Sequence, residues 1–322
     1  MSAEGGTRAI VAALAANLGI AVAKLAGFVV TGSSAMLAEA AHSAADSGNQ
    51  GLLLVGGRRA RRGADDEHPF GYGRDRYFYA FVVALVLFSL GSLFSLYEGW
   101  HKLGSTEPLS SPAVAVVILV VAIFLEGFSL RTAVKESNEV RGTANWTQFI
   151  RRAKAPELPI VLLEDTGALL GLLFALAGVV LSSITGDPVW DALGTIAIGV
   201  LLGVIAVILI VETKSLLIGE AASPDALARI RAALIGQGID RVIHLRTLHL
   251  GPDELLVAAK VAMARTTSLE RVAAAIDDAE RRVRTAEPAA RVIYLEPDLD
   301  RVPLTHRSGR EPGAPMFADP LI

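Results

Sequence analysis

The sequence predicts an all-α membrane domain of six transmembrane helices, followed by a small C-terminal α+β domain in the ferredoxin-like order αββαβ. Three observations predict it. Of 322 residues, 52% are hydrophobic and only 20% charged, where a soluble domain carries about 25% charge; mean hydropathy is +0.48. The apolar residues fall in six blocks, each close to the ~20 helical residues that cross a bilayer. Near Gly219 the pattern changes from continuous apolar runs to amphipathic and alternating ones.

The six predicted spans cover residues 10–30, 34–55, 77–100, 113–130, 159–182 and 188–211. Gly and Ala recur in all of them, and small residues let helix backbones approach closely in lipid. The first span has no clear cleavage site behind it and reads as a retained helix, not a signal peptide. Arg58, Arg59, Arg61, Arg62, Arg74 and Arg76 follow the second span; Arg131, Lys135, Arg141, Arg151, Arg152 and Lys154 follow the fourth, in a loop over 131–158. The other connections carry almost no basic residues. Basic loops stay cytoplasmic, which places both termini inside. These spans form a domain over residues 1–218.

A second domain is expected over 219–298: a helix at 226–235, alternating segments at 242–250 and 255–263 joined by Gly251-Pro252-Asp253, a helix at 271–285 and a short strand at 292–295. Residues 299–322, rich in Pro, Arg and Gly, read as a loose tail. Net charge is −3 and the pI about 6.1, so no basic footprint for nucleic acid exists. Cys is absent, which excludes thiolate metal sites, disulfides and thiol catalysis. Richness in Ala, Arg and Gly points to a GC-rich bacterial source and hence to the inner (plasma) membrane.

Charged groups in the membrane are costly and mark function. The second span carries Glu39, His42, Asp46, Asn49 and Gln50 on one helical face, with His42 and Asp46 an i,i+4 pair. That stripe fits a cation or proton site; the alternative is a hydrogen-bonded packing network. The fifth span carries Glu164-Asp165, whose side chains point about 100° apart, so one is expected to aim at a shared site while the other finds a different partner, such as Lys24 or another helix. Asn17 is a neutral oxygen candidate in the first span, equally readable as a packing hydrogen bond. Glu126 lies near the cytoplasmic end of the fourth span, and Asp191 reads as a cap of the sixth helix behind Pro188.

The run Gly32-Ser33-Ser34-Ala35-Met36-Leu37-Ala38-Glu39-Ala40-Ala41-His42-Ser43-Ala44-Ala45-Asp46, followed by His68-Pro69-Phe70-Gly71-Tyr72-Gly73-Arg74, resembles the cation diffusion facilitator family. The resemblance implies divalent-metal efflux, zinc first, with protons as counter-ion, alternating access and no resident cofactor. It implies a homodimer formed through the cytosolic domain and membrane helices, with lipid as the other partner. The family's transport site takes two ligands four apart on the second helix and two on the fifth, here His42 and Asp46, then Val161 and Asp165. Val161 offers no ligand atom, leaving Glu164, Asn17, Glu126 or water to complete the shell. With the Glu-Asp pair and the long loop 131–158, the chain resembles a divergent branch related to an organellar mammalian zinc transporter. One imidazole with carboxylates suits zinc, and a more oxygen-rich shell suits Mn²⁺, Co²⁺ or Fe²⁺.

By the same resemblance, Asp65, His68 and Tyr72 occupy a second metal position, where Tyr72 replaces a usual His and His68 also reads as a loop-ordering residue. The cytosolic zinc positions fall on Ile243, Lys260, Tyr294 and Glu296, so this domain is expected to hold no such cluster. An intramembrane metalloenzyme is disfavoured: no HExxH exists, and His42 is the single His in any span. A non-transporting subunit of a heteromeric transporter remains open.

Overall fold

The computed structural model describes residues 3–104 and 109–299, with side chains from Asn17 onward except Leu87. The tail expected over 299–322 lies outside the described residues, apart from Leu299. Among the described residues, long helices run over α1 (Ala3–Thr31), α2 (Ser34–Arg59), α3 (Asp75–Val82) continuing through a π-helical stretch into α4 (Ser89–Lys102), α5 (Pro112–Arg141), α7 (Glu157–Thr185) and α8 (Val189–Ile218). A short α6 (Trp146–Arg152) joins α5 to α7.

Four of these rods are long and apolar enough to cross a membrane: Asp75–Lys102, Pro112–Arg141, Glu157–Thr185 and Val189–Ile218. The described apolar part of α1, Asn17–Thr31, is shorter. α2 falls below that mark because its polar stripe dilutes the apolar content. Both nevertheless pack against the other helices, α1 against α2 and α5, and α2 against α7 and α8.

The α1–α2 turn is tight for identifiable reasons. Gly32 sits at φ 68°, a conformation glycine enters without a Cβ penalty, and its N–H donates to Phe28 O at 2.7 Å. Ser33 then caps α2, its Oγ accepting from Met36 N at 3.3 Å. α5 opens on Pro112 in its first turn.

Small residues set the helix spacing. A Cβ at Gly178 would stand 2.9 Å from Trp190 O, and one at Gly194 would stand 2.9 Å from Phe174 O, so α7 and α8 meet backbone to backbone. Gly99 and Gly199 do the same for α4 against α8. The core between them is apolar, with Met36, Leu119, Ile160, Leu172, Ile198 and Leu202 all buried.

Two departures from the sequence reading concern the middle of the chain. Residues 83–88 form a π-helical turn inside the third rod, which no residue type announces. The loop expected over 131–158 is largely helical. α5 runs on to Arg141, and α6 carries an Asn145–Gln148 capping box. The polar turns of 131–141 are helix formers whose charged face leaves the apolar stretch without breaking the backbone.

Behind Gly219 lie α9 (Pro224–Leu234), β1 (Arg241–Gly251), β2 (Glu254–Met263), α10 (Leu269–Ala286) and β3 (Ala290–Leu299). β1 and β2 are antiparallel, β2 and β3 parallel, in sheet order β1-β2-β3. The last strand is longer than the expected 292–295 because its polar residues pair along β2. Its core is separate from that of the helices and centres on Ile230, Leu234, Val257, Val261, Ala279 and Val283.

The hairpin turn meets the membrane helices. A Cβ on Gly251 would lie 3.0 Å from Gly73 Cα. Arg76 at the start of α3 donates to Asp253 Oδ2 at 3.2 Å and to Glu157 Oε1 at 2.5 Å, joining the hairpin to the first turn of α7. Lys154 pairs with Glu220, which also accepts from Ser215.

Candidate metal transport site

The polar stripe of α2 faces inward. Glu39, His42, Asp46 and Asn49 are all buried, and Gln50 is partly so. His42 Nδ1 lies 3.4 Å from Asp46 Oδ1, too poorly aligned for a hydrogen bond. His42 Nε2, Asp46 Oδ1 and Asn49 Oδ1 have no hydrogen-bond partner. Buried polar atoms left unpaired are costly and mark a place where a ligand, ion or water is accommodated.

On α7, Glu164 and Asp165 are both buried. Glu164 meets Asp46 and Asn49 of α2, and Asp165 Oδ2 accepts from Ser129 Oγ of α5 at 2.9 Å. Between these helices lies a cavity of about 110 Å³. Asp46, Glu164 and Asp165 line it together with Asn17, Gln50 and Glu126. Val161 and Ala168 supply its apolar wall.

The structure thus brings Asp46, Glu164, Asp165 and Asn17 to one cavity. His42 touches Asp46 but is not on the lining. Both Glu164 and Asp165 reach the cavity, where only one was expected to, because the space is wide enough to meet side chains about 100° apart. Among the described residues, no three His, Asp or Glu side chains are disposed to hold a metal ion as they stand. The cavity is larger than a bare ion needs, since a water occupies about 30 Å³.

Lys24 does not neutralise Glu164 or Asp165. Its Nζ donates to Glu39 Oε2 at 2.9 Å and to Ser43 Oγ at 2.8 Å. Asp191 is a second correction. It is fully buried and accepts from Ser33 Oγ at 2.5 Å, Ser34 N at 2.7 Å and Ser34 Oγ at 2.9 Å. It holds the start of α2, not its own helix. The sequence signal was the Ser33-Ser34 pair ahead of the polar helix, whose partner could not be read from spacing.

Asp65, His68 and Tyr72 do come together. Tyr72 Oη donates to Asp65 Oδ2 and His68 N to Asp65 Oδ1, both at 2.7 Å. The His68 and Tyr72 rings lie 4.3 Å apart. Both oxygens of Asp65 therefore have a donor. The Tyr72 hydroxyl, and then the His68 backbone N–H, hold the Asp65 carboxyl below its ordinary value, while the same hydrogen bond raises the Tyr72 phenol. In the sheet, Lys260 bonds Glu296 at 2.9 Å and Asp298 at 3.3 Å.

Residues 10–218 match the model of the cation efflux transmembrane domain. The chain belongs to the cation efflux family. It is 34% identical over 242 residues to a mitochondrial proton-coupled zinc antiporter of Xenopus laevis, covering 74% of this chain and 43% of the relative. It is 30% identical over 257 residues to metal tolerance protein C4 of Arabidopsis thaliana, covering 79% and 56%. A magnetosome protein, MamB of a Magnetospira strain, is 27% identical over 229 residues, covering 70% and 72%. The chain thus spans about half the length of the first two relatives. It is a multi-pass membrane protein of this family.

Proposed function

We propose that this protein exports a divalent cation, zinc first, in exchange for protons, by alternating access of a site between α2 and α7. The observation that carries the reading is the cavity where Asp46 of α2 meets Glu164 and Asp165 of α7. These carboxylates neutralise a dication, and His42, with Nδ1 3.4 Å from Asp46 Oδ1, adds a nitrogen donor beside them. A metal-bound imidazole is neutral, so a proton arriving at His42 competes directly with the metal. Proton entry from outside expels the ion; proton release inside resets the site. The relatives, a mitochondrial proton-coupled zinc antiporter among them, support this chemistry.

In this reading all six rods cross the membrane, α2 with its polar stripe turned away from lipid. Both termini lie in the cytoplasm of a cell whose inner membrane holds the protein. Residues 1–218 form the transport domain, and 219–298 form the ferredoxin-like cytosolic domain through which two copies pair. Asp65 and His68 order a loop.

A second reading has a specific support. The cavity lining is oxygen-rich, with Asn17, Gln50 and Ser129 beside the carboxylates and no imidazole. Such a shell suits Mn²⁺, Co²⁺ or Fe²⁺ as well. Uptake of competing dications into proteoliposomes with an imposed pH gradient separates the two. Zinc uptake that collapses with the gradient and resists excess Mn²⁺ supports the first reading. Manganese-dominated uptake supports the second, and no net flux of any dication sinks both.

A further inference from the structure

The second helix pair of the site lacks a donor at Val161, although Val161 itself lines the cavity. A third helix approaches the same space. α5 packs along α7, and Ser129, one turn beyond Glu126, donates to Asp165 Oδ2 at 2.9 Å. Residues three apart share a helix face, so Glu126 is presented on the face that meets Asp165. It too lines the cavity. Phe124 and Phe128, on its two flanks, are 75% and 74% exposed and mark the outward faces of the helix.

Glu126 interrupts an apolar run, where a carboxylate needs a positive partner. Lys24, whose charge reaches it, is already hydrogen-bonded to Glu39 and Ser43. An independent observation points to a cation in this space. Asp46 is 6% exposed and lines the cavity, and its Oδ1, 3.4 Å from His42 Nδ1, has no hydrogen-bond partner.

We propose that Glu126 of α5 is a ligand of the transported cation, supplying from a third helix the donor that Val161 lacks. The site is then shared by α2, α5 and α7. The ion keeps part of its water in a cavity with room for a few molecules. This rests on the export reading.

The test is equilibrium binding of Zn²⁺ to the full-length protein in detergent. Glu126→Gln is expected to weaken zinc binding by about tenfold or more, the scale seen when support to a metal site is lost. Its melting temperature should stay unchanged, and Glu139→Gln on the exposed part of the same helix should bind as wild type. Wild-type affinity in Glu126→Gln, alongside loss in Asp46→Ala, overturns the Glu126 assignment alone. Zinc binding untouched by Asp46→Ala overturns the underlying reading as well.

Should Glu126→Gln misfold, Glu126→His keeps a donor in place. It is expected to raise the ratio of zinc to manganese bound, because nitrogen donors favour zinc. An unchanged ratio overturns the proposal.

Discussion

Lys24 Nζ of α1 donates to Glu39 Oε2 of α2 across 2.9 Å, with the two side chains 1% and 0% exposed. Glu39 has the same helical face as His42 and Asp46, yet the ammonium claims it. A Cβ on Gly171 of α7 would stand 2.6 Å from Glu39 Oε1, so a side chain there would have to push the carboxylate aside. Removing one partner of a buried pair leaves an uncompensated charge and costs about 3–5 kcal/mol. Lys24→Met is therefore expected to lower the melting temperature of the detergent-solubilised protein markedly. Lys24→Met with Glu39→Leu should recover most of the loss, and equal melting of the single variant and wild type would contradict this account.

Asp191 offers a parallel case at the other end of α2. Its carboxylate takes three hydrogen bonds from Ser33 and Ser34, and hydrogen bonds to a charged group contribute about 1.5–3 kcal/mol each. Asp191→Ala should destabilise the protein by a few kcal/mol, on the order of one or two such bonds. Thermal unfolding followed by size-exclusion recovery measures it. A stability change near zero would show that α2 is anchored elsewhere.

The cavity carboxylates predict loss of function without loss of fold. Asp46→Ala and Asp165→Ala should each abolish metal uptake into proteoliposomes while leaving the elution volume of the assembled protein unchanged. Transport that survives Asp46→Ala would remove α2 from the site.

A loop prediction concerns pH. The Asp65 carboxyl is held below its ordinary value chiefly by the Tyr72 hydroxyl. A depressed carboxyl stabilises the folded loop above its unfolded value of about 3.9, and that contribution is lost as pH falls through the lower folded value. Tyr72→Phe should move the Asp65 midpoint upward, back toward the ordinary carboxylate range, in a carbon-detected NMR titration. An unmoved midpoint would mean the His68 N–H alone sets it.

Much of this architecture was legible in the residues. The apolar blocks located the helices, and the 3.6 period placed Glu39, His42, Asp46 and Asn49 on one buried face. Alternation around Gly251-Pro252-Asp253 located the hairpin. What could not be read were relations between distant elements. Nothing in the spacing says that Lys24 selects Glu39 over Glu164, that Asp191 reaches Ser33 and Ser34, or that Glu126 shares a cavity with Asp46. Those depend on rotation and depth of packed helices, which side-chain contacts set and sequence periodicity leaves free. The π-helical turn at 83–88 and the helical continuation to Arg141 were hidden for the opposite reason. Apolar and charged residues alike tolerate the helical backbone, so composition marked the membrane edge and not the helix end.

The most direct test is an anomalous difference map, collected at the zinc absorption edge from crystals of the full-length protein grown with zinc. A peak inside the cavity, at the roughly 2.0–2.2 Å carboxylate-to-zinc distance from both Asp46 and Asp165, is the predicted result. Zinc found only elsewhere on the molecule, with that cavity holding none, would contradict the account.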